Sequence, residues 1–208
     1  MSLNSRKNST YIIIGVAALF IGLLAWQMLE DPDAEYEAEI LRFRKSKNEM
    51  FQLDEESPLS LDQKNRFTGL EYFDISRKYR VYAVYRANPK YSKVDIIRTG
   101  GDTVTYVQSG FLDFDLEGKK HSLIAYNSPD RTPKELFVMF RDASSGKSTY
   151  GGGRYIDTRL VKDRPTVLLD FNLAYNPYCV YNKDYYCPLP PQENTLSIAI
   201  EAGEKDWK

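Results

Sequence analysis

The sequence is short of the residues that most often carry metal or acid–base chemistry. It has one histidine, His121, and two cysteines, Cys179 and Cys187. A zinc site usually needs closely spaced pairs of Cys or His ligands, so we expect no metal. A Ser-His-Asp or Cys-His scheme would have to use His121. This residue follows a predicted hairpin turn, beside Lys119 and Lys120, where a solvated strand residue is expected.

An excess of charge of either sign is also absent. The chain has 28 basic and 29 acidic residues, a net charge of −1. No broad basic field exists to hold nucleic acid, so we expect no nucleic-acid partner. Gly146-Lys147-Ser148 looks like the end of a phosphate-binding loop, but Arg141 stands where the first glycine is required. We therefore expect a hairpin turn at this place and no cofactor.

Charge is missing altogether from residues 11–29, "YIIIGVAALFIGLLAWQML". As a helix this run would be about 28 Å long, close to the hydrocarbon thickness of a bilayer. Arg6 and Lys7 precede it and acidic residues follow it, which favours a cytoplasmic N-terminus. A cleaved signal peptide and a buried core helix are the alternatives, but the run is long for a signal peptide and lacks a good cleavage site.

We therefore expect a single-pass protein of the cell membrane with an uncleaved signal anchor. Residues 1–10 would lie in the cytoplasm and residues 11–29 would be the transmembrane helix. An acidic tether and amphipathic helix would occupy residues 30–56, and an extracytoplasmic domain residues 57–208. In an oxidising compartment Cys179 and Cys187 are expected to form a disulfide, with free buried thiols, a zinc site or a catalytic thiol as alternatives.

The rest of the sequence predicts a mainly β domain. Residues 33–53 have the apolar period of a helix, and short strand patterns then follow, separated by Gly- or Asp-bearing turns. This spacing predicts an antiparallel β barrel or sandwich. The strands and hairpins are expected at 79–86, 93–108 around Gly100-Gly101-Asp102, 111–126 around Glu117-Gly118, 134–156 around Asp142–Gly146, 166–172 and 195–200.

Two stretches suggest a binding site. Gly151–Arg154 places an arginine after three glycines, where backbone or ligand can approach closely. The alternative is a bulged strand with Arg154 paired to a carboxylate such as Asp170. The second stretch, 170–194, combines amides, tyrosines, prolines and both cysteines. The predicted ligand-binding residues are Arg154, Asp170, Asn172, Tyr175, Asn176 and Asn194.

The chain resembles a mostly bacterial family, domain of unknown function 1684. The resemblance is carried by "SPLSL" at 57–61, "FTGLEYF" at 67–73 and "FRDASSGKSTYGGGRYID" at 140–157, and by residues 169–205. It implies that the glycine run, Asp170–Asn176, the two cysteines, Pro188–Pro191 and Asn194 act as one unit. It implies no particular activity.

These observations lead to two hypotheses about function. The first is a membrane-anchored module that binds a small polar ligand, such as a sugar, or an envelope component. The second is an extracytoplasmic hydrolase-like enzyme with Asp170 as general base and Arg154 holding an anion. A purely structural partner protein is a third possibility, which would show a large exposed apolar patch.

Overall fold

The computed structural model of the chain describes residues 15–20, 22, 32–127 and 132–207. The predicted transmembrane run, residues 11–29, lies mostly outside them, although residues 15–20 are helical. Among the described residues, no helix combines the length and the apolar character needed to cross a bilayer. The chain divides into two compact units, Met1–Leu41 and Arg42–Lys208. The sheet and the cavities reported below all lie in the second unit.

Between residue 32 and the sheet the chain forms two helices, α1 (Pro32–Leu53) and α2 (Leu61–Arg66). The predicted helix at 33–53 is thus confirmed. The short α2 begins at a capping box, in which the Ser60 hydroxyl accepts from the Gln63 amide and the Gln63 side chain accepts from the Ser60 amide. Four short 3-10 turns are also described, at Arg77–Tyr79, Phe171–Leu173, Tyr178–Val180 and Gln192–Asn194.

Within the described residues, seven strands form one antiparallel sheet that curls into a nearly closed barrel. The order is β6-β5-β4-β3-β1-β7, and β2 also pairs with β3. At the remaining seam the Thr158 hydroxyl donates to the Leu168 carbonyl at 2.7 Å. The predicted antiparallel β domain is therefore confirmed. The strands are β1 (Arg80–Ala87), β2 (Lys93–Ile97), β3 (Thr103–Leu116), β4 (Lys119–Asn127), β5 (Glu135–Phe140), β6 (Arg154–Arg159) and β7 (Thr166–Asp170).

The strand predicted at 195–200 is wrong. Its residues make one isolated bridge, between Thr195 and Arg141, and no named strand. Leu196 donates to the Arg141 carbonyl at 2.8 Å, and Ala143 donates to the Ile198 carbonyl at 3.0 Å. Because residues 141–143 belong to the β5–β6 connection and not to a strand, these bonds do not extend into a ladder.

The sheet is buried on both faces at β5. In β5, Leu136, Val138 and Phe140 belong to one cluster of buried residues, and Phe137 and Met139 belong to another. The inner cluster fills the barrel and includes Leu112, Phe114, Leu123, Ile156, Leu169 and Phe171. The outer cluster, on the opposite face, is Ile96, Tyr126, Phe137, Met139, Tyr155 and Cys187, with Tyr106, Tyr175, Tyr178 and Cys179 packed against it.

A β-bulge in β3 lets one strand serve both clusters. Its pairing with β4 shifts by one residue between Gln108 and Gly110. Because side chains alternate between faces, the extra residue moves even-numbered positions to the other face. Val104 and Tyr106 therefore pack with the outer cluster, whereas Leu112 belongs to the inner cluster.

Candidate functional site

Arg154, at the start of β6, has a side chain that is only 1% exposed, and its two terminal guanidinium nitrogens donate to other parts of the protein. Its guanidinium donates to the Asp142 carboxylate at 3.0 Å. It also donates to the carbonyls of Ile200 at 2.8 Å, Ala202, and Glu204 at 3.2 Å. Burial lowers the pKa of Arg154, and the Asp142 carboxylate opposes that shift. Arg154 therefore fastens the C-terminal segment to the barrel.

The alternative interpretation, in which Arg154 pairs with a carboxylate, agrees with the structure, but the partner is Asp142 and not Asp170. Asp170, at the end of β7, lies 3.7 Å from the Arg80 Nε, and one of its oxygens accepts from the Asn172 amide at 3.0 Å. The two residues assigned to the hydrolase hypothesis are thus held in separate ion pairs. Asp170 borders a cavity beside β6 and β7, and Arg154 does not border that cavity.

The side chains of two predicted asparagines each form a donor and an acceptor hydrogen bond with the backbone of one residue, as a neighbouring strand would. The Asn172 side chain accepts from the Ser76 amide at 2.9 Å and donates to the Ser76 carbonyl at 2.8 Å. The Asn194 side chain makes the same pair of bonds with Ile124, at 2.7 and 2.9 Å, and also donates to the Met139 carbonyl at 2.8 Å. Both are fully buried. They satisfy peptide groups that would otherwise be buried without a partner.

The third predicted asparagine, Asn176, is also fully buried. Its side chain donates to the Lys205 carbonyl at 2.7 Å, and its amide donates to the Glu204 carboxylate at 3.1 Å. Glu204, itself 1% exposed, accepts further from Lys47 Nζ at 2.7 Å and from the Tyr181 hydroxyl. Asn176 and Glu204 therefore tie the C-terminal part of α1, at Lys47, and the loop after β7 to the C-terminal segment.

A cleft of about 630 Å³, here called the aromatic cleft, lies over the outer cluster between the sheet, the C-terminal part of α1 and the loop after Tyr175. All six residues predicted for ligand binding lie within the described ranges. Of these six, Tyr175 alone borders the aromatic cleft. The other five predicted residues do not border this cleft, and their contact with a ligand stays a prediction. The cleft is bordered by Phe43, Ser46, Lys47, Met50, Tyr106, Phe137, Tyr155, Asp157, Tyr175, Pro177, Tyr178, Tyr185, Cys187 and Pro188.

The floor of the aromatic cleft is a row of rings in contact. Tyr106 stacks on Phe137 with centroids 5.7 Å apart, and Phe137 meets Tyr155 edge to face at 4.8 Å. Tyr155 in turn meets Tyr175 at 5.8 Å with an angle of 88°. Alternation along β5 and β6 directs Phe137 and Tyr155 to this face.

Of the described residues that border the cleft, two are charged, Lys47 and Asp157. The Lys47 ammonium lies 4.9 Å from the centroid of the Tyr175 ring, and the Glu204 carboxylate balances its charge at 2.7 Å. Asp157 is exposed on β6 and accepts from the Tyr175 hydroxyl at 2.7 Å. The cleft is therefore mainly apolar, with a carboxylate at its edge.

Sequence reasoning missed most of this cleft. The signal that could have revealed it is "ELFVMF" in β5, which is apolar at successive positions and so predicts burial on both faces. An aromatic side chain on the face of β5 away from the barrel interior then contacts the segment that covers that face. No sequence pattern indicated Lys47, because its position at the cleft depends on the ion pair with Glu204, which is distant in sequence.

The predicted disulfide is not formed. Cys179 and Cys187 are both free thiols, and the Cys179 amide donates to the Cys187 sulfur at 3.3 Å. The segment is fastened by other bonds: the Cys187 amide donates to the Thr99 hydroxyl at 3.0 Å, and the Thr99 amide donates to the Cys187 carbonyl at 2.9 Å. Leu189 also donates to the Ile97 carbonyl at 2.8 Å. Backbone hydrogen bonds with Ile97 and Thr99, at and just after the end of β2, thus hold this segment where a disulfide was expected to hold it.

Three side chains surround the Cys179 sulfur. Hydrogen bonds from Cys187, and then from Tyr150 and Thr99, outweigh burial and lower the pKa of Cys179 to about 7. The glycine run makes this arrangement possible, because a Cβ at Gly152 would lie 2.8 Å from the Tyr150 ring carbon Cζ. The hydrogen bond with the Cys179 side chain, and then burial, raise the pKa of Cys187.

His121 is not the solvated strand residue that the sequence predicted. Its ring is half-buried and lies against Phe114 of the inner cluster, with centroids 5.6 Å apart. The cysteines belong to the outer cluster, so the sheet separates them from the histidine. In the described ranges, no group of three or more His, Cys, Asp or Glu side chains is arranged to hold a metal ion.

We predict that Arg154→Met lowers the free energy of unfolding by about 3–5 kcal/mol, because it leaves the Asp142 carboxylate buried without its cation. Urea denaturation measures the change. Arg159→Met on the same strand removes an exposed arginine and should shift the free energy by no more than about 0.5 kcal/mol. Equal small losses in both variants would contradict the role assigned to Arg154.

We also predict that Cys179 is alkylated by iodoacetamide as a thiolate with a midpoint near pH 7. The rate should rise with pH through this midpoint and level off above it. Peptide mass spectrometry under reducing conditions separates Cys179 from Cys187, which should react far more slowly. Tyr150→Phe removes one hydrogen-bond donor and should raise the midpoint; an ordinary thiol midpoint in the unaltered chain would refute the prediction.

Comparison with known proteins agrees with this architecture. A solution NMR structure of an uncharacterized protein from Haloarcula marismortui is similar, with 36% identity and a TM-score of 0.66. The match covers 83% of this chain and 95% of that chain. No functionally curated protein matches. A family model described as a protein of unknown function, DUF1684, matches residues 65–205. The chain therefore belongs to the DUF1684 family.

Proposed function

We propose that the protein is a small-ligand binding module whose site is the aromatic cleft. The observation that carries this proposal is a cavity of about 630 Å³ lined largely by aromatic side chains. Ligand pockets commonly have volumes of roughly 300–1,000 Å³ and combine apolar walls with a few polar groups. The cleft meets this description through its ring floor, Lys47 and Asp157.

The cleft also changes the class of ligand to be expected. Sugar recognition was inferred from amides beside aromatic rings. Asn172, Asn176 and Asn194 are buried and bonded to backbone, so their amides do not line the cleft. A ligand with a large apolar surface and few hydrogen-bonding groups fits this site better than a sugar.

The proposal places the module outside the cytoplasm. It rests on the uncharged run at residues 11–29, with basic residues before it and acidic residues after it. The anchor would hold the domain at the membrane surface, where the cleft would sample ligands of the envelope. No catalytic role is included in this proposal.

The compartment is tested with alkaline phosphatase fused after Lys208. This reporter becomes active only where its own disulfides form, so we expect activity in cells that make the full-length fusion. Deleting residues 11–29 should abolish this activity while leaving the fusion protein detectable. A fusion that is inactive in the full-length form would refute the location outside the cytoplasm.

Ligand binding is tested by titrating the full chain, in a maltoside detergent, with benzyl alcohol and following tyrosine ring signals by NMR. We expect saturable shifts at Tyr106, Tyr155 and Tyr175. Tyr185→Ala removes a wall of the cleft and should weaken binding by about threefold or more, as loss of one aromatic contact implies.

Tyr186→Ala is the matched control. Tyr186 is adjacent in sequence and exposed, but it packs over Gly100 and does not border the cleft. Its substitution should leave the affinity nearly unchanged. Absence of saturable shifts, or equal effects of the two substitutions, would refute the cleft as the binding site.

A further inference from the structure

We propose that a second cavity binds a small zwitterion with an apolar side chain, either a free α-amino acid or a short peptide. This cavity, here called the C-terminal cavity, has a volume of about 420 Å³ and is bordered by residues 63, 66–71 and 204–207. None of these residues borders the aromatic cleft, so the inference concerns a separate site and goes beyond the proposed function.

The C-terminal cavity lies where two paired segments separate. Tyr72 and Glu204 form one isolated antiparallel bridge. Beyond this bridge the Leu70 amide donates to the Asn48 side chain at 3.0 Å, and the Asp206 amide donates to a carbonyl of the β5–β6 connection at 3.1 Å. Because each segment then pairs with a different part of the chain, space remains between them.

Two aromatic rings form an apolar wall of this cavity. Phe67 is buried and stacks on Phe51 with centroids 6.2 Å apart. Trp207 is half-buried, lies 6.1 Å from Phe67 and meets Tyr181 edge to face at 5.4 Å. Because these contacts fix both rings, the wall is already formed for an apolar side chain to pack against.

The charged side chains at the cavity are of both signs. Arg66 and Lys205 are basic, whereas Glu71 and Asp206 are acidic. Among the described residues, no ion pair joins any of these four to another. The cavity therefore presents opposite charges that do not neutralise each other by direct contact.

Glu204 also borders the cavity, but its charge is balanced within the protein. It is 1% exposed, lies 2.7 Å from Lys47 Nζ and accepts from the Asn176 amide at 3.1 Å. The other four charges sum to zero. A simple anion or cation would meet as many repulsive as attractive groups, whereas a zwitterion places each end beside the opposite charge.

Arg66 and Asp206 are the side chains that we assign to the two ends of the ligand. Arg66 donates through Nε to the Asp62 carbonyl at 3.2 Å, which orients the guanidinium, and the planar guanidinium suits a carboxylate. Asp206 is half-buried, so water screens its attraction for an ammonium group less than at an open surface.

Trp207 gives this site its own reporter. The chain has two tryptophans, so Trp26→Phe leaves Trp207 as the single indole. The full chain with this substitution, in a maltoside detergent, is titrated with leucine while tryptophan fluorescence is followed. Leucinamide lacks the carboxylate and N-acetylleucine lacks the ammonium group. We expect a saturable change with leucine, and binding at least about fivefold weaker for either derivative.

Two substitutions assign the two charges. Arg66→Gln should weaken leucine binding by about threefold or more and leave leucinamide nearly unchanged. Asp206→Asn should weaken leucine binding by a similar factor and leave N-acetylleucine nearly unchanged. The matched controls are Lys64→Gln and Asp62→Asn, which change α2 residues that do not border the cavity. Neither control should alter the affinity for any of the three ligands.

Several results would overturn the inference. Equal binding of leucine and its two derivatives would show that the charges are not recognised. Equal effects of the cavity substitutions and their controls would remove the roles of Arg66 and Asp206. Leucine that shifts the Tyr155 ring signals and leaves Trp207 fluorescence unchanged would lie in the aromatic cleft. In each case the benzyl alcohol titration still tests the aromatic cleft separately.

A free amino acid and a short peptide share the same zwitterionic chemistry. Leucylleucine that binds more tightly than leucine would support the inference with a short peptide as the source. Weaker binding of leucylleucine would support it with a free amino acid as the source. Absence of saturable binding by both would refute it.

Discussion

The buried ion pair between Arg154 and Asp142 is the contact on which the arrangement of the domain depends. Taking a guanidinium out of water is costly and is offset only when its donors find acceptors in good geometry. Here the acceptors are the Asp142 carboxylate and carbonyls of the C-terminal segment, including Ile200 and Ala202. The same bonds place Glu204 where it meets Lys47, and Lys47 forms part of the cleft wall. A structural arginine thus determines the shape of a site that it does not border.

The second constraint is that one sheet must cover two cores. The bulge between Gln108 and Gly110 reverses which residues of β3 face the barrel, so the strand contributes Tyr106 to one cluster and Leu112 to the other. The outer cluster then needs a cover. Residues 175–189 supply it, held by backbone bonds at Thr99 and Ile97. Because irregular backbone covers this face less completely than a second sheet would, a cleft lined by aromatic rings remains.

Much of the fold was predictable, and the reason is local. Alternating apolar residues and left-handed turn positions such as Gly101 and Gly118 specify hairpins from neighbours in sequence. The candidate site was predictable only in part. Tyr175 borders the cleft, whereas the prediction of Asn172 and Asn194 as ligand residues depends on the general association of polar residues among aromatics with ligand sites. Their side chains form hydrogen bonds with the backbone of Ser76 and of Ile124. No short-range sequence pattern predicts such pairings.

The sequence by itself determined the antiparallel β class, the helix before it, most strand positions and membership in the family, because these follow from residue periodicity and turn chemistry over short distances. Only the tertiary structure decided which carboxylate meets Arg154, that the two thiols remain separate, and where the cleft opens. The physical reason is that these features depend on contacts between residues far apart in the chain. Their energies are set by burial and geometry, which exist only after the sheet has curled and its outer face has been covered.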